Sequence, residues 1–175
     1  MDATGRCCGT GPAHVQRATA EQWPVVRGVR LRALADAPQA FGSTLAREGG
    51  FDDGTWRRRV ERGDWFLAWS AGRAVGVAAL VPVESVPPAG EREIVSVWVE
   101  PGQRGGGAAT RLVEAACDRA AAGGAATVSL WVADGNPRAR RFYERLGFLP
   151  TGERKPLPGS PHVGEERLRR TAAPG

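Results

Sequence analysis

A glycine-rich turn, RGGGAA at residues 104–109, joins a strand pattern over residues 93–99 to a helical pattern over residues 106–122. Three adjacent glycines let backbone N–H groups approach a ligand closely. The N-terminus of the following helix carries a partial positive charge, because its first N–H groups have no acceptor within the helix. A phosphate or diphosphate is therefore predicted to bind at this turn.

Three kinds of anion-binding loop are alternatives for this turn. A Walker A loop requires Gly-Lys-Ser/Thr, and the turn does not contain that tripeptide. A dinucleotide-binding fingerprint requires a third small residue where Thr110 stands and an acidic residue after the next strand, and neither requirement fits well. The third alternative is a loop that binds the pyrophosphate of coenzyme A.

Strand and helix patterns alternate along the chain in the order β-α-α-β-β-β-α-β-α-β-β. Strands are predicted over residues 14–19, 64–70, 73–83, 93–99, 127–132, 148–153 and 162–169. Helices are predicted over residues 21–35, from Asp52-Asp53 onward, over 106–122 and from Asn136 to Gly147, with loops at 36–50 and 83–91. This order predicts an α/β (mixed α+β) fold, in which a central mixed sheet of six to seven strands is flanked by about four helices.

Two motifs in this frame resemble those of the GNAT superfamily of N-acetyltransferases. The stretch Arg104–Ala109, preceded by Val99-Glu100-Pro101, is similar to the superfamily's Arg/Gln-x-x-Gly-x-Gly/Ala loop and its Val-x-Pro lead-in. About thirty residues later, the stretch from Asn136 to Phe148 resembles its Asn-x-x-Ala-x-x-x-Tyr-x-x-x-Gly-Phe motif. The resemblance covers about residues 14–170 and is specific over 93–148, and it implies the GNAT fold.

The resemblance implies that acetyl-CoA is the acyl donor and that no metal takes part. The residues expected to contact the cofactor are Trp98, Val99, Arg104, Gly105, Gly106, Gly107, Ala108, Ala109, Thr110, Asn136, Arg138 and Ala139. In the family a bulge near the end of the strand exposes backbone groups to the pantetheine arm, which would place Trp98 and Val99 beside the acyl group. Structural alternatives remain open: Trp98 as a core residue, Arg104 as a surface arginine and Asn136 as a helix N-cap.

Two residues are expected to be catalytic. Tyr143, the single tyrosine of the chain, matches the family's general acid. A phenol with a pKa of about 10 stays protonated beside a thiol with a pKa of about 8.5, so it can protonate a departing thiolate. Glu93 resembles the family's basic glutamate, with Glu91 and then His162 as further candidates and a chain of waters as an alternative. A core position for Tyr143 and a solvent-exposed one for Glu93 are the structural alternatives.

The acceptor site is expected, by the same resemblance, in residues 30–62 and 150–166. Those segments contain Phe41, Glu48, Asp52, Asp53, Trp56, Glu165 and Glu166. Carboxylates beside aromatic rings suit a cationic amine. The predicted function is therefore acetyl transfer to a primary amine of a small molecule or peptide. Acetylation of protein lysines or N-termini, and a non-catalytic acyl-CoA-binding regulatory module, remain alternatives.

Composition argues against several other classes of protein. The 24 basic residues include 23 arginines and give a pI near 10, but the arginines are spread along the chain without a base-reading motif, so no nucleic-acid partner is predicted. No run of about 18 apolar residues is present, so no membrane partner is predicted. Dimers are common in the family, so a homodimer is compatible with the resemblance.

The spacing of cysteine and histidine predicts neither a zinc site nor a disulfide framework. Cys7 and Cys8 are adjacent, Cys117 lies in a helical pattern, and His14 and His162 stand alone. A reducing, cytoplasmic location is the expectation. Residues 1–12 are predicted to form a flexible tail before a single N-acetyltransferase domain at 13–171.

Overall fold

The computed structural model describes residues 13–83, 90–158 and 160–172. Its strands are β1 (His14–Arg17), β2 (Asp64–Ser70), β3 (Arg73–Pro82), β4 (Glu91–Val99), β5 (Thr127–Ala133), β6 (Leu149–Leu157) and β7 (Ser160–Thr171). Its α-helices are α1 (Trp23–Asp36), α2 (Leu45–Gly49), α3 (Asp53–Arg62), α4 (Ala108–Ala122) and α5 (Pro137–Arg145). The predicted tail at 1–12, with Cys7 and Cys8, and most of the predicted loop at 83–91 lie outside the described residues.

All seven strands form one mixed sheet in the order β1-β2-β3-β4-β5-β7-β6. Neighbouring strands are antiparallel except for β4 and β5, which run parallel in the middle of the sheet. A parallel pair needs a crossover connection, and α4 supplies it. The mixed sheet confirms the predicted fold class.

The two faces of the sheet bury separate apolar cores. On one face, α4 and the apolar side of α5 cover a core that contains Leu112, Leu130, Tyr143 and Phe148. On the other face, α1 and α3 cover a core that includes Trp65 and Trp98. Side chains alternate along β5, so Val128, Leu130 and Val132 are buried on the α4 face while Trp131 points to the opposite face.

Most predicted boundaries agree with the structure to within two residues. The larger differences are the helix α2 inside a predicted loop and the strand β6, which continues to Leu157 beyond the predicted end at residue 153. The predicted loop at 36–50 contains the short helix α2, where the Thr44 hydroxyl accepts a bond from the Arg47 N–H. A helix of this length with an exposed Leu45 has no apolar periodicity to detect. Helix α4 begins at Ala108 rather than residue 106, because Gly107 has a φ of +79° and is the N-cap.

A buried cluster of charges holds α1, α2 and α3 together. Glu48 of α2 accepts hydrogen bonds from Nε and Nη2 of Arg30, at 3.1 and 2.8 Å, and lies 3.3 Å from Nη1 of Arg59. Burial favours the neutral acid, but the hydrogen bonds and charge of Arg30, together with the charge of Arg59, outweigh it and lower the pKa of Glu48. The ionised carboxylate therefore stabilises the fold at neutral pH, and this contribution is lost as the pH falls through the lowered pKa.

We expect Glu48→Gln to destabilise the protein by about 3–5 kcal/mol, because it leaves the buried Arg30 guanidinium without its counter-charge. The matched control is Asp53→Asn, which removes an exposed carboxylate 3.6 Å from Arg27 and should cost much less. Urea unfolding of both variants at pH 7 measures the difference. Equal losses of unfolding free energy would show that the buried cluster does not hold the helices together.

Candidate active site

The glycine-rich loop between β4 and α4 presents backbone N–H groups to solvent. Gly105 and Gly107 have φ values of +89° and +79°, a left-handed conformation that glycine adopts without steric cost. Residues 104–107 are exposed, and Gly107 caps α4 without a side-chain hydrogen bond. The first N–H groups of α4, from Ala108 to Thr110, have no acceptor within the helix. The loop and helix start thus fit the diphosphate of coenzyme A.

Strands β4 and β5 separate beside this loop. Their parallel pairing runs from Glu91↔Thr127 only as far as Glu93↔Ser129, although both strands continue beyond that point. Beyond Glu93, the N–H and C=O groups of β4 and β5 that face each other form no hydrogen bonds between the two strands. An extended ligand that contains amides needs such unpaired groups to bind between the strands.

A β-bulge in β4 lies at this opening. Val77 pairs with Trp98 and Ala79 pairs with Val95, so Ser96 and Val97 together face the single residue between them on β3. Ser96 has a φ of +61°, which is uncommon for a residue other than glycine and marks a functionally interesting position. The bulge thus precedes Trp98 and Val99, the residues expected beside the acyl group.

The side chains of Trp98 and Arg104 make structural contacts. The indole Nε1 of Trp98 donates to Asp36 Oδ2 at 2.9 Å while its ring packs against α1. Arg104 donates to the same oxygen at 2.5 Å and to the carbonyl of Val99 at 2.8 Å. The hydrogen bond from Trp98, aided by Arg104, lowers the pKa of Asp36. Phosphate binding by Arg104 remains a prediction, and its guanidinium already has a counter-charge.

Asn136 caps α5, the second motif's helix. Its Oδ1 accepts a hydrogen bond from the Ala139 N–H at 3.0 Å, so the N-cap alternative is confirmed. Since that bond uses the carbonyl oxygen, the amide nitrogen of Asn136 remains available to donate to a ligand. Arg138 is exposed and Ala139 is half-buried at the same helix start.

Tyr143 lies on the buried side of α5. Its ring contacts those of Phe142 and Phe148 edge-on, with centroids 5.0 and 5.9 Å away. Burial raises the pKa of Tyr143 well above its ordinary value. The phenol is therefore protonated at every physiological pH, as a proton donor must be.

A cavity of about 820 Å³ lies at the strand opening, on the α1 face of the sheet. Its walls come from the α1–α3 region, the ends of β3 and β6, the opened part of β4, and β5 and β7. They include Arg30, Phe41, Arg47, Glu48, Arg59, Glu93, Ser96, Trp131, Glu153, Lys155, Glu165 and Arg167. The cavity thus reaches from the helices to the place where β4 and β5 part.

Burial raises the pKa of two glutamates that line this cavity, Glu93 and Glu165. Burial raises the pKa of Glu93 more than the charges of Lys155 and Arg167 lower it. Burial likewise raises the pKa of Glu165, whose Oε1 lies 3.5 Å from the Lys155 ammonium. That ammonium lies 4.0 Å from the centre of the Trp131 ring. Glu93 therefore combines a raised pKa with a position on the cavity wall, which makes it a candidate proton acceptor.

Several residues expected at the site lie elsewhere. Glu91 is buried in an ion pair with Arg167 at 2.8 Å, and His162 is exposed outside the cavity lining. Four residues expected in the acceptor site are also absent from the cavity wall: Asp52, Asp53, Trp56 and Glu166. Asp52 caps α3, Trp56 is core, and Glu166 pairs with Arg140 at 2.6 Å. These side chains have structural contacts, so the acceptor wall is less acidic than expected.

Sequence reasoning missed Lys155 and Trp131. Both could have been noticed in the sequence. Lys155 is the one lysine of the chain, and Trp131 is a large apolar residue at a position of β5 that alternates with the buried residues. The cavity arginines, by contrast, are indistinguishable in sequence from the many surface arginines.

Over the described ranges of the chain, no helix is both long and apolar enough to cross a membrane. Within the same ranges, no group of three or more His, Cys, Asp or Glu side chains is placed to hold a metal ion. Cys117 is buried in α4, where burial raises the pKa of its thiol to about 11.

Two known proteins that are similar to this chain are both described as acetyltransferases. The chain is 32% identical over 128 residues to a probable N-acetyltransferase of Mycobacterium tuberculosis, covering 69% of this chain and 70% of that one. It is 42% identical over 127 residues to the mycothiol acetyltransferase of Beutenbergia cavernae, covering 70% of this chain. The match spans only 39% of that second relative's length.

A solved structure has the same fold. A protein from Salmonella typhimurium, solved with its cofactor acetyl-CoA, superimposes with a TM-score of 0.76 at 16% identity, over 94% of this chain and 96% of that one. Residues 31–148 match the family described as the acetyltransferase (GNAT) family. This range contains the opened strand pair, the glycine-rich loop and Tyr143, and the chain belongs to the acetyltransferase (GNAT) family.

Proposed function

We propose that the protein transfers the acetyl group of acetyl-CoA to a primary amine of a small molecule or peptide. The observation that carries this proposal is the opening of the β4–β5 pair between the glycine-rich loop and the 820 Å³ cavity. A donor held between the strands and an acceptor in the cavity would meet beside Glu93. Amine attack on a bound thioester then requires no covalent enzyme intermediate.

The donor is held mainly by backbone groups. The N–H groups of residues 105–110 receive the diphosphate, and the unpaired edges of β4 and β5 receive the pantetheine amides. The amide nitrogen of Asn136 adds a side-chain donor. Acetyl-CoA supplies the thioester carbonyl that accepts the amine and the thiolate that leaves.

Glu93 removes the proton that keeps the acceptor amine unreactive. An alkylammonium has a pKa near 10.4, so at neutral pH it must lose a proton before it attacks. Glu93 lines the cavity and is the last residue of β4 that pairs with β5, and its raised pKa suits a base. The charges of Lys155 and Arg167 oppose the rise in the pKa of Glu93 and favour its ionised form.

Tyr143 protonates the thiolate that leaves. Its pKa is raised by burial, so it still carries its proton when the carbon–sulfur bond breaks and can donate that proton to the sulfur as the bond breaks. The contacts with Phe142 and Phe148 fix the ring and therefore the direction of the hydroxyl.

Acetyl-CoA incubated with a mixed panel of amines and peptides should release free coenzyme A thiol, measured with a thiol reagent. Calorimetry should show acetyl-CoA binding in the absence of any amine. Binding without release across the panel would favour a regulatory acyl-CoA-binding module, and release confined to peptides would favour a protein acetyltransferase. Absence of binding would contradict every one of these functions.

Tyr143→Phe should lower kcat at least tenfold and leave the acetyl-CoA dissociation constant nearly unchanged, because it removes the proton donor and retains the ring. Phe142→Leu, which alters the neighbouring ring without touching the hydroxyl, is the packing control. Steady-state kinetics and calorimetry separate the two effects. A parallel loss of turnover and cofactor affinity in Tyr143→Phe would assign the tyrosine to packing alone.

The dependence of kcat/KM on pH should show an acid limb with an apparent pKa above the usual glutamate range, because activity rises as Glu93 loses its proton. Glu93→Gln should remove that limb and lower kcat/KM. Glu153→Gln, at an exposed carboxylate of the same cavity, should retain it. An unchanged pH profile in Glu93→Gln would rule out Glu93 as the base.

A further inference from the structure

The charges that line the cavity are divided between its two ends. The end formed by the helices, here called the helix end, carries the guanidinium groups of Arg30, Arg47 and Arg59 against the one carboxylate of Glu48. The end formed by β4–β7, here called the strand end, carries three carboxylates and two cations. These are Glu93, Glu153, Glu165, Lys155 and Arg167.

The helix end has more positive charge than its own residues neutralise. Glu48 is already bound by Nε and Nη2 of Arg30 and lies within ion-pair distance of Arg59, so it cannot balance a third cation. Arg47 forms no ion pair within 4.0 Å in the part of the chain that the structure describes. The helix end thus has three guanidinium groups and one carboxylate.

A buried donor at the helix end also lacks a partner. Nη1 of Arg30 makes no hydrogen bond, although the residue is only 4% exposed and lines the cavity. Burial lowers the pKa of Arg59, and the nearby charges of Arg30 and Arg47 add to this effect while Glu48 opposes it. Unpaired buried donors and charges are costly, so an anion bound here would remove an existing penalty.

The strand end has the opposite balance. Arg167 is held by Glu153 and by the buried Glu91 behind it, and Lys155 is held by Glu165. Glu93 therefore stands without an ion pair within 4.0 Å among the described residues, at the opening between β4 and β5. An ammonium group is the complementary ligand for this end.

We propose that the acceptor is an aminocarboxylate, an amine that also carries a carboxylate, such as an amino acid. Its ammonium lies at the strand end beside Glu93, and its carboxylate lies at the helix end among Arg30, Arg47 and Arg59. Guanidinium groups match a carboxylate through paired N–H donors. This inference rests on the proposed function, and it replaces the expectation of a purely cationic amine, because Glu48 is neutralised and Asp52, Asp53 and Glu166 do not reach the cavity.

The test is a panel of matched acceptors assayed with acetyl-CoA. Glycine, β-alanine, 4-aminobutyrate, 6-aminohexanoate, leucine and phenylalanine are each compared with the amine that lacks the carboxylate, and spermidine serves as a polycation. Thiol release measures turnover, and calorimetry on the coenzyme A-loaded protein measures binding. We expect at least one aminocarboxylate to exceed its decarboxylated partner by tenfold or more in kcat/KM and in affinity.

Arg47→Gln provides the second arm, because this exposed arginine lies outside the buried ion pairs and its loss should not unfold the protein. It should raise KM for the preferred aminocarboxylate about tenfold, change kcat little, and leave KM for the decarboxylated partner unchanged. Arg57→Gln removes an equal charge from an exposed site outside the cavity and should change neither.

Equal or better use of the decarboxylated amines or spermidine would overturn the inference while leaving the acetyltransferase proposal intact. A KM change in Arg47→Gln that is equal for both members of a pair would also overturn it. Tighter binding of aminocarboxylates without any thiol release would support the inference and contradict the proposed function. Failure of every panel member to bind would overturn the inference.

Discussion

The incomplete pairing of β4 and β5 is the constraint on which the site depends. These strands are joined through Glu93 and Ser129 and then part, while β4 stays bonded to β3 and β5 to β7. The bulge at Ser96 and Val97 lets β4 bend away without losing its bonds to β3. The early end of the β4–β5 pairing thus leaves unpaired backbone on both sides of a cleft. The glycine-rich loop lies at one end of it and the cavity at its α1 face.

Arginine pairing explains much of the basic composition. Asp64 alone is contacted by Arg17, Arg92 and Arg119, and Glu114 accepts two bonds from Arg170. These pairs connect separate strands and helices, so many arginines act as structural cross-links. Other described arginines have no ion pair within 4.0 Å, and Arg47 at the helix end of the cavity is one of them.

The periodic and motif-bearing parts of the chain were predictable from sequence. The strand at Asp64–Ser70, the helix starts at Asp52-Asp53 and Asn136, and the glycine-rich loop all depend on local patterns of burial, capping and backbone conformation. The bulge was expected only near the end of the strand, and its exact position at Ser96 was not predictable, because a serine in a left-handed conformation leaves no mark in composition. The acceptor wall was least predictable. Whether Glu48, Glu91 or Glu166 is free or paired depends on arginines from distant segments, which sequence spacing does not bring together.

A crystal structure of the protein with acetyl-CoA tests most directly the central claim, that the opened strand pair and the glycine-rich loop form one donor site. We expect diphosphate oxygens at about 2.7–3.2 Å from backbone nitrogens of residues 105–110. We also expect the pantetheine arm to lie between β4 and β5 and the acetyl group to lie beside the bulge and face the cavity. A cofactor bound away from the loop, or a strand pair closed along its full length, would contradict it.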